Sequence, residues 1–206
     1  MAQNGITTVI FDMGGVLLRT VDTEPRDMLA KRFGVTRRDL EKFVFSSETS
    51  ILSEEGKLSD VAHWRTVMRH FGQPEGDHIQ LYDEYFAGDA IDQRLLAFAA
   101  SLKPQYKLGL LSNAWENARP LLRARFDFLD TFDVSIFSYE VQARKPDAVM
   151  YQAILERMDA KPEEAVFIDD VLENVEGALA LGMQALHFSG TEALISALSD
   201  LLAHVP

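Results

Sequence analysis

TTVIFDMGGV, residues 7–16, is the stretch of this sequence that decides its fold. Residues Thr7–Phe11 form a short run rich in β-branched and aromatic side chains, which is typical of a strand buried on both faces. The run stops abruptly at Asp12, and small residues follow. Open parallel sheets bind their ligands beyond the carboxyl ends of the strands. Asp12 is therefore a candidate site residue if the rest of the chain builds such a sheet.

Four later runs resemble the first one and predict the other strands. They are Tyr106–Leu111, Val134–Phe137, Ala165–Ile168 and Met183–Phe188. The sequence between and beside these runs has helical patterns, over Ile91–Leu102, Asn117–Phe126, Asp147–Met158 and Leu172–Leu181. Alternation of strands and helices from residue 92 onward predicts an α/β fold with a doubly wound, mainly parallel, Rossmann-like sheet.

Residues 20–90 have a different pattern, which indicates helices and no convincing strand. The predicted helices are Pro25–Phe33, Arg37–Phe45, Ser59–Phe71 and Pro74–Phe86. Ser59 is a suitable N-cap residue for the third helix, and glycines separate the segments. We therefore predict an inserted α-helical unit over residues 19–91, and an α/β core built from residues 1–18 and 92–206.

The composition excludes several classes of function. Among 206 residues, 32 are acidic and 20 basic, and the net charge of −12 disfavours nucleic acid and anionic membranes as partners. The lack of cysteine excludes disulfides and cysteine–metal clusters. The sequence shows neither a signal-peptide pattern nor the roughly 18 consecutive apolar residues of a membrane span. We expect a cytoplasmic protein, either a monomer or a homodimer.

Several polar side chains follow the predicted strands, where they would converge on one crevice. They are Asp12, Ser112, Asn113, Lys145, Asp169 and Asp170. Carboxylates are the oxygen ligands that Mg²⁺ prefers, while a hydroxyl, an amide and an ammonium group can hold phosphate oxygens. Without a cation, three carboxylates and a phosphate would repel one another. The pattern therefore predicts a site for a divalent cation together with a phosphate group.

Each of these residues also has an ordinary structural explanation. An aspartate after a strand is most often a turn former or a helix cap, and Ser112-Asn113 is a common turn pair. Lys145, which precedes a proline, would usually be a solvated surface lysine. What favours the site is their joint occurrence, since each lies at the same end of a separate predicted strand.

The four motifs together resemble those of the haloacid dehalogenase-like hydrolase superfamily, and the resemblance covers nearly the whole chain. The first motif is Val9-Ile10-Phe11-Asp12-Met13-Gly14-Gly15-Val16, and the second is Leu110-Leu111-Ser112-Asn113. The third is the lysine of Arg144-Lys145-Pro146-Asp147, and the fourth is Phe167-Ile168-Asp169-Asp170. In this comparison the helical insertion over residues 19–91 resembles the cap of the family, and we call it the cap below.

The resemblance implies a phosphohydrolase that acts on a small phosphorylated metabolite. Asp12 would attack phosphorus and form an aspartyl-phosphate, which water then hydrolyses. Asp12, the Gly14 carbonyl and Asp170 would bind Mg²⁺, and Asp169 would do so directly or through water. The phosphoryl group would be held by three residues, namely Ser112, Asn113 and Lys145. Asn174 would hold the acidic pair Asp169-Asp170 in position without contacting the metal ion itself.

Gly14 is a departure from the family pattern. Most phosphatases of the family carry a second aspartate at this position, which serves as general acid and base. Proton transfer by such a group contributes about 10²–10⁴ in rate, so its loss predicts weak or narrow activity unless another group handles the proton. The D-x-G-G-V version of the motif is similar to that of sugar-phosphate phosphatases and of the phosphatase domain of epoxide hydrolases.

Two other functions stay open at this level. A haloacid dehalogenase shares the aspartate, the Ser-Asn pair and the lysine, but it needs no metal, and the acidic pair Asp169-Asp170 is not expected in it. A non-catalytic protein that binds metal and phosphate would explain the missing aspartate at Gly14. The Glu55-Gly56-Lys57 loop resembles a cap loop that faces the active site in this family, although a surface turn is the slightly favoured explanation. Trp115 is expected either to meet the cap or a substrate, or to pack in the core.

Overall fold

The computed structural model describes residues 5–74, 76 and 78–203. These residues form seven β-strands: β1 Thr8–Phe11, β2 Leu18–Thr20, β3 Asp89–Ile91, β4 Lys107–Ser112, β5 Val134–Phe137, β6 Ala165–Asp169 and β7 Gln184–His187. They form eleven α-helices: α1 Glu24–Phe33, α2 Arg37–Ser46, α3 Glu48–Glu54, α4 Asp60–His70, α5 His78–Tyr85, α6 Gln93–Leu102, α7 Ala118–Arg125, α8 Ser138–Val141, α9 Ala148–Met158, α10 Leu172–Ala180 and α11 Thr191–Ala203. The predicted strands and core helices are confirmed to within two residues at most ends.

The central sheet has five strands, all parallel, in the order β5-β4-β1-β6-β7. β1 lies in the middle, and all four of its residues are buried. Successive side chains of a strand point to opposite faces of the sheet. Accordingly, Val9 and Phe11 pack on one face with residues of α6 and α11, whereas Ile10 packs on the other face with residues of α9 and α10. This is the doubly wound fold that the alternating pattern predicts.

The central position of β1 explains where the polar residues meet. Because β4 and β6 flank β1 in register, Phe11 lies beside Leu110 on one side and Ile168 on the other. The residues that follow these three strands therefore emerge side by side at one edge of the sheet. Segments far apart in sequence reach this edge through the parallel crossovers.

The cap residues form a separate apolar cluster. Helices α1, α2, α4 and α5 contribute buried side chains such as Leu40, Trp64 and Tyr85. Three N-caps set the starts of the helices, at Thr36, Ser47 and Ser59, each of which accepts a hydrogen bond from a backbone N–H three residues later. The predicted Ser59 cap is thus confirmed. Two residues of the predicted helix Pro74–Phe86 lie outside the described residues.

The prediction that residues 20–90 contain no strand is wrong. β2 and β3 pair antiparallel, with Leu18 opposite Ile91 and Thr20 opposite Asp89. This ribbon joins the two ends of the insertion, on either side of the boundaries predicted at residues 18–19 and 91–92. Each strand has only three residues, which is too few for an alternating pattern to stand out. Helix α3 was also missed, because seven residues cover barely two turns.

Candidate active site

Asp12, Lys145 and Asp169 form the centre of the site. The Nζ of Lys145 donates to Asp12 Oδ1 and to Asp169 Oδ2, each at 2.6 Å. The Lys145 side chain is only 1% exposed, and the two carboxylates are buried with it. Burial and the neighbouring Asp169 raise the pKa of Asp12 to about 7, although Lys145 acts in the opposite direction. Burial lowers the pKa of Lys145, but the two carboxylates outweigh it and raise that pKa. Lys145 is therefore an ammonium ion that lies between the carboxyl groups of Asp12 and Asp169.

Asn113 fixes the position of Lys145 through the backbone. Its Oδ1 accepts from the Lys145 N–H at 2.8 Å, and its Nδ2 donates to the Lys145 carbonyl at 3.1 Å. The amide group thus ties the end of β4 to the loop that carries the lysine. Sequence reasoning placed Asn113 on the phosphate, and this positioning contact was not foreseen. The neighbouring Ser112 is buried and lines the same cavity as Lys145.

Asp169 is held by several donors on its own side of the site. Asn174 Nδ2 lies 3.1 Å from both of its carboxylate oxygens, and the Val171 N–H donates to Oδ1 at 2.8 Å. Tyr151 in turn donates to the Asn174 carbonyl at 2.8 Å. Both oxygens of Asp169 are therefore already engaged, which suits a residue that orients Lys145. The supporting contact predicted for Asn174 is present.

Three carboxylates form a group with the spacing of a metal site. One oxygen each from Asp12, Asp169 and Asp170 lies within 4.8 Å of the others. Of these, Asp170 is the most exposed, and its partial desolvation, followed by the charge of Asp169, raises its pKa. Among the described residues, no hydrogen bond uses the Gly14 carbonyl. Carboxylate and carbonyl oxygens are the donors that Mg²⁺ takes, so the residues present fit this ion.

Gly15 makes room for the carboxylate of Asp170. A Cβ at this position would lie 2.7 Å from Asp170 Oδ1 and still closer to its other oxygen, and the backbone has a φ of +81°. Both facts require glycine, since a side chain would be strained and would push Asp170 away. At Gly14, by contrast, a Cβ would meet no atom within 4 Å.

We expect Gly15→Ala to weaken metal-dependent activity by about 10- to 100-fold, which is the usual effect of disturbing the support of a metal ligand. The matched control is Gly34→Ala, because Gly34 has a similar φ of +71° but open space around its Cβ. Gly34→Ala should lower the free energy of unfolding by about 1–2 kcal/mol through backbone strain alone. Titration of activity against Mg²⁺ checks the prediction, and equal Mg²⁺ requirements in the two variants would contradict it.

A cavity of about 670 Å³ extends from Asp12 towards the cap. Phe45, Tyr82 and Phe86 from the cap and Trp115 from the core form an aromatic wall of this cavity, and charged side chains such as Arg26 line it as well. The ring of Trp115 stacks on that of Phe45, with centroids 6.0 Å apart. Trp115 thus packs in the cap cluster, which was one of the two predicted alternatives.

Acidic residues of the cap also line this cavity, and sequence reasoning did not identify them. Glu54 ends α3, and Arg144 Nε donates to its Oε2 at 2.8 Å. Asp60 begins α4 and accepts from Asn117 Nδ2 at 2.6 Å. The Glu55-Gly56-Lys57 loop follows Glu54 directly, so the family likeness of that loop was a signal that pointed to this region.

Comparisons with known proteins agree with the geometry. A family model for the haloacid dehalogenase-like hydrolases matches residues 6–182. The chain belongs to this family. It is therefore an enzyme of the hydrolase class, as the motifs indicate.

Similar proteins include a sesquiterpene phosphatase of Aspergillus oryzae, 30% identical over 94% of this chain and 95% of that protein. A phosphorylated carbohydrates phosphatase of Thermotoga maritima is 26% identical over 87% of this chain and 83% of that protein. Among solved structures, a predicted HAD-like family hydrolase of Porphyromonas gingivalis has a TM-score of 0.79 at 29% identity. That match covers 96% of this chain and 98% of the other. In the part of the chain that the structure describes, no helix is long and apolar enough to cross a membrane.

Proposed function

We propose that this enzyme is a Mg²⁺-dependent phosphatase of small phosphorylated metabolites, with Asp12 as its nucleophile. One observation carries the proposal, namely the buried contact of Asp12 with Lys145 beside the acidic group that includes Asp170. A carboxylate fixed at an ammonium ion is oriented for attack, and the same ammonium ion can hold a phosphoryl oxygen. The acidic group offers the cation site that an incoming phosphate requires.

The residues have separate tasks in this proposal. Asp12, the Gly14 carbonyl and Asp170 would hold Mg²⁺, which when bound offsets the charge of the phosphoryl group. Asp169 would act indirectly and not as a direct metal ligand, because Lys145 and Asn174 already donate hydrogen bonds to its oxygens. Ser112 and Lys145 would bind the transferring phosphoryl group. Asn113 would contribute by holding the lysine in place.

The organic part of the substrate would lie against the aromatic wall of the cavity. Phe45, Phe86 and Trp115 present apolar surface there, which favours an apolar group over a polyhydroxyl group. The similarity to a sesquiterpene phosphatase supports this choice, and the similarity to a carbohydrate phosphatase keeps sugar phosphates as the second candidate. We therefore place terpenyl and other apolar monophosphates first.

The test is a screen of monophosphates with and without Mg²⁺. We expect phosphate release from 4-nitrophenyl phosphate and from terpenyl phosphates only when Mg²⁺ is supplied, and its loss when a chelator is added. Terpenyl phosphates should show a lower KM than sugar phosphates of similar size, because burial of apolar surface contributes about 25 cal/mol per Å².

Three results would contradict the proposal. Full activity in the chelator would remove the role of the metal, and chloride release from a short halo acid would favour the dehalogenase alternative. Covalent phosphorylation of Asp12 without turnover would instead indicate a protein that binds metal and phosphate with little catalysis.

A further inference from the structure

Hydrolysis of an alkyl phosphate needs a proton donor that Asp12 and the metal ligands do not supply. The departing alkoxide must be protonated, and the water that later attacks phosphorus must lose a proton. Gly14 carries no side chain, so the position two residues after Asp12 offers no group that can transfer these protons. The donor must therefore be one of the other titratable side chains that line the cavity.

Most of these side chains are already committed. Both oxygens of Asp89 accept from Arg26, at 2.8 and 3.0 Å. The two oxygens of Asp60 accept from the Val61 N–H and from Asn117. Burial raises the pKa of Tyr82 to about 12, and guanidinium groups do not release protons at accessible pH.

Glu54 is the exception among the described residues that line the cavity. Arg144 binds its Oε2 at 2.8 Å, but no hydrogen-bond donor among the described residues reaches its Oε1. The side chain is only 9% exposed, and it faces the same cavity as Asp12 and Gly14. A carboxyl group with one fixed and one free oxygen can be aimed at a substrate and still exchange a proton.

The electrostatic surroundings of Glu54 suit an acid that exchanges its proton. Burial raises its pKa, while the adjacent Arg144, and more weakly Lys145, limit the rise. A general acid works best when its pKa is brought towards the working pH, and burial moves that of Glu54 in this direction.

We propose that Glu54 is the general acid and base of this enzyme and replaces, from the cap, the side chain that Gly14 lacks. In the first step an Asp12 oxygen bonds to phosphorus, the bond from phosphorus to the leaving oxygen breaks, and the Glu54 proton passes to that oxygen. In the second step Glu54 takes a proton from water as the water attacks phosphorus. The bond to Asp12 then breaks, which releases phosphate and restores both carboxyl groups. This inference rests on the proposed phosphatase function.

Glu54→Gln tests the inference, because the amide can still accept from Arg144 but cannot give or take a proton. We compare kcat/KM for an alkyl phosphate and for 4-nitrophenyl phosphate, whose leaving group needs no proton. The alkyl substrate should lose about 10²–10⁴ in kcat/KM, and the aryl substrate less than about tenfold. With the aryl phosphate we also expect a burst of one nitrophenol per enzyme, since the second step is slowed.

Glu48→Gln is the matched control, because Glu48 begins the same helix α3, is exposed and does not line the cavity. It should leave both substrates unchanged. Adding Gly14→Asp to Glu54→Gln should raise kcat/KM for the alkyl phosphate at least tenfold above that of Glu54→Gln alone, since the space around Gly14 is open. Equal losses on both substrates, or no loss, would overturn the role of Glu54. The proposed function would survive either result as long as Asp12→Asn is inactive.

Discussion

Asp12→Asn is expected to lower kcat for every phosphate ester by about 10⁴-fold or more, the scale seen when a covalent nucleophile is removed. The amide has nearly the same shape as the carboxylate, so the cavity stays intact, but it cannot form the aspartyl-phosphate. The change also removes one of the two negative charges that Lys145 contacts. Hydrolysis of 4-nitrophenyl phosphate in saturating Mg²⁺ measures the effect, and acid-stable labelling of the protein should be absent.

The control for this variant is Asp130→Asn, at a side chain that is 86% exposed. It makes the same chemical change on the surface and should keep full activity. Thermal unfolding should give midpoints within about 5 °C of each other for the two variants, which would exclude misfolding as the cause of the loss. Substantial activity in Asp12→Asn, with a folded protein, would mean that another group is the nucleophile.

The centre of the site can be predicted from the sequence because the order and parallel pairing of the strands alone bring its residues together. β1, β4 and β6 are short, mainly apolar runs, and parallel pairing brings their ends to one edge. Asp12, Ser112 and Asp169 each lie at the end of one of these strands. Neither the rotamer of a side chain nor the details of packing matter for this inference, since the register of three adjacent strands is sufficient.

The cap side of the site was less predictable for physical reasons. Glu54 reaches the cavity only because the cap folds back onto the core, and the bond from Arg144 spans 90 residues of sequence. Its helix α3 is short and was not predicted. The contact of Asn113 with the Lys145 backbone was missed for a similar reason, because a turn pair at a strand end does not reveal what its side chain binds.

Lys145→Met is expected to reduce activity by about 10³-fold or more and to destabilise the fold. It would leave Asp12 and Asp169 buried close together without their counter-charge, and removing one partner of a buried ion pair costs about 3–5 kcal/mol. We expect Asp12 to take up a proton, because burial and the charge of Asp169 raise its pKa and Lys145 no longer opposes them. Protonation would remove the negative charge that the proposed nucleophile requires. Chemical denaturation and the hydrolysis of 4-nitrophenyl phosphate measure the two losses separately.

The two losses should also respond differently to a second substitution. Adding Asp169→Asn to Lys145→Met removes one of the unpaired charges, so we expect stability to recover by more than about 1 kcal/mol. Activity should not recover, because the ammonium group that we propose to hold the phosphoryl oxygen is still missing. Lys31→Met, at an exposed lysine in the last turn of α1, is the control for the loss of a lysine elsewhere. If activity returned together with stability, Lys145 would be a structural counter-ion and would not bind the phosphoryl group.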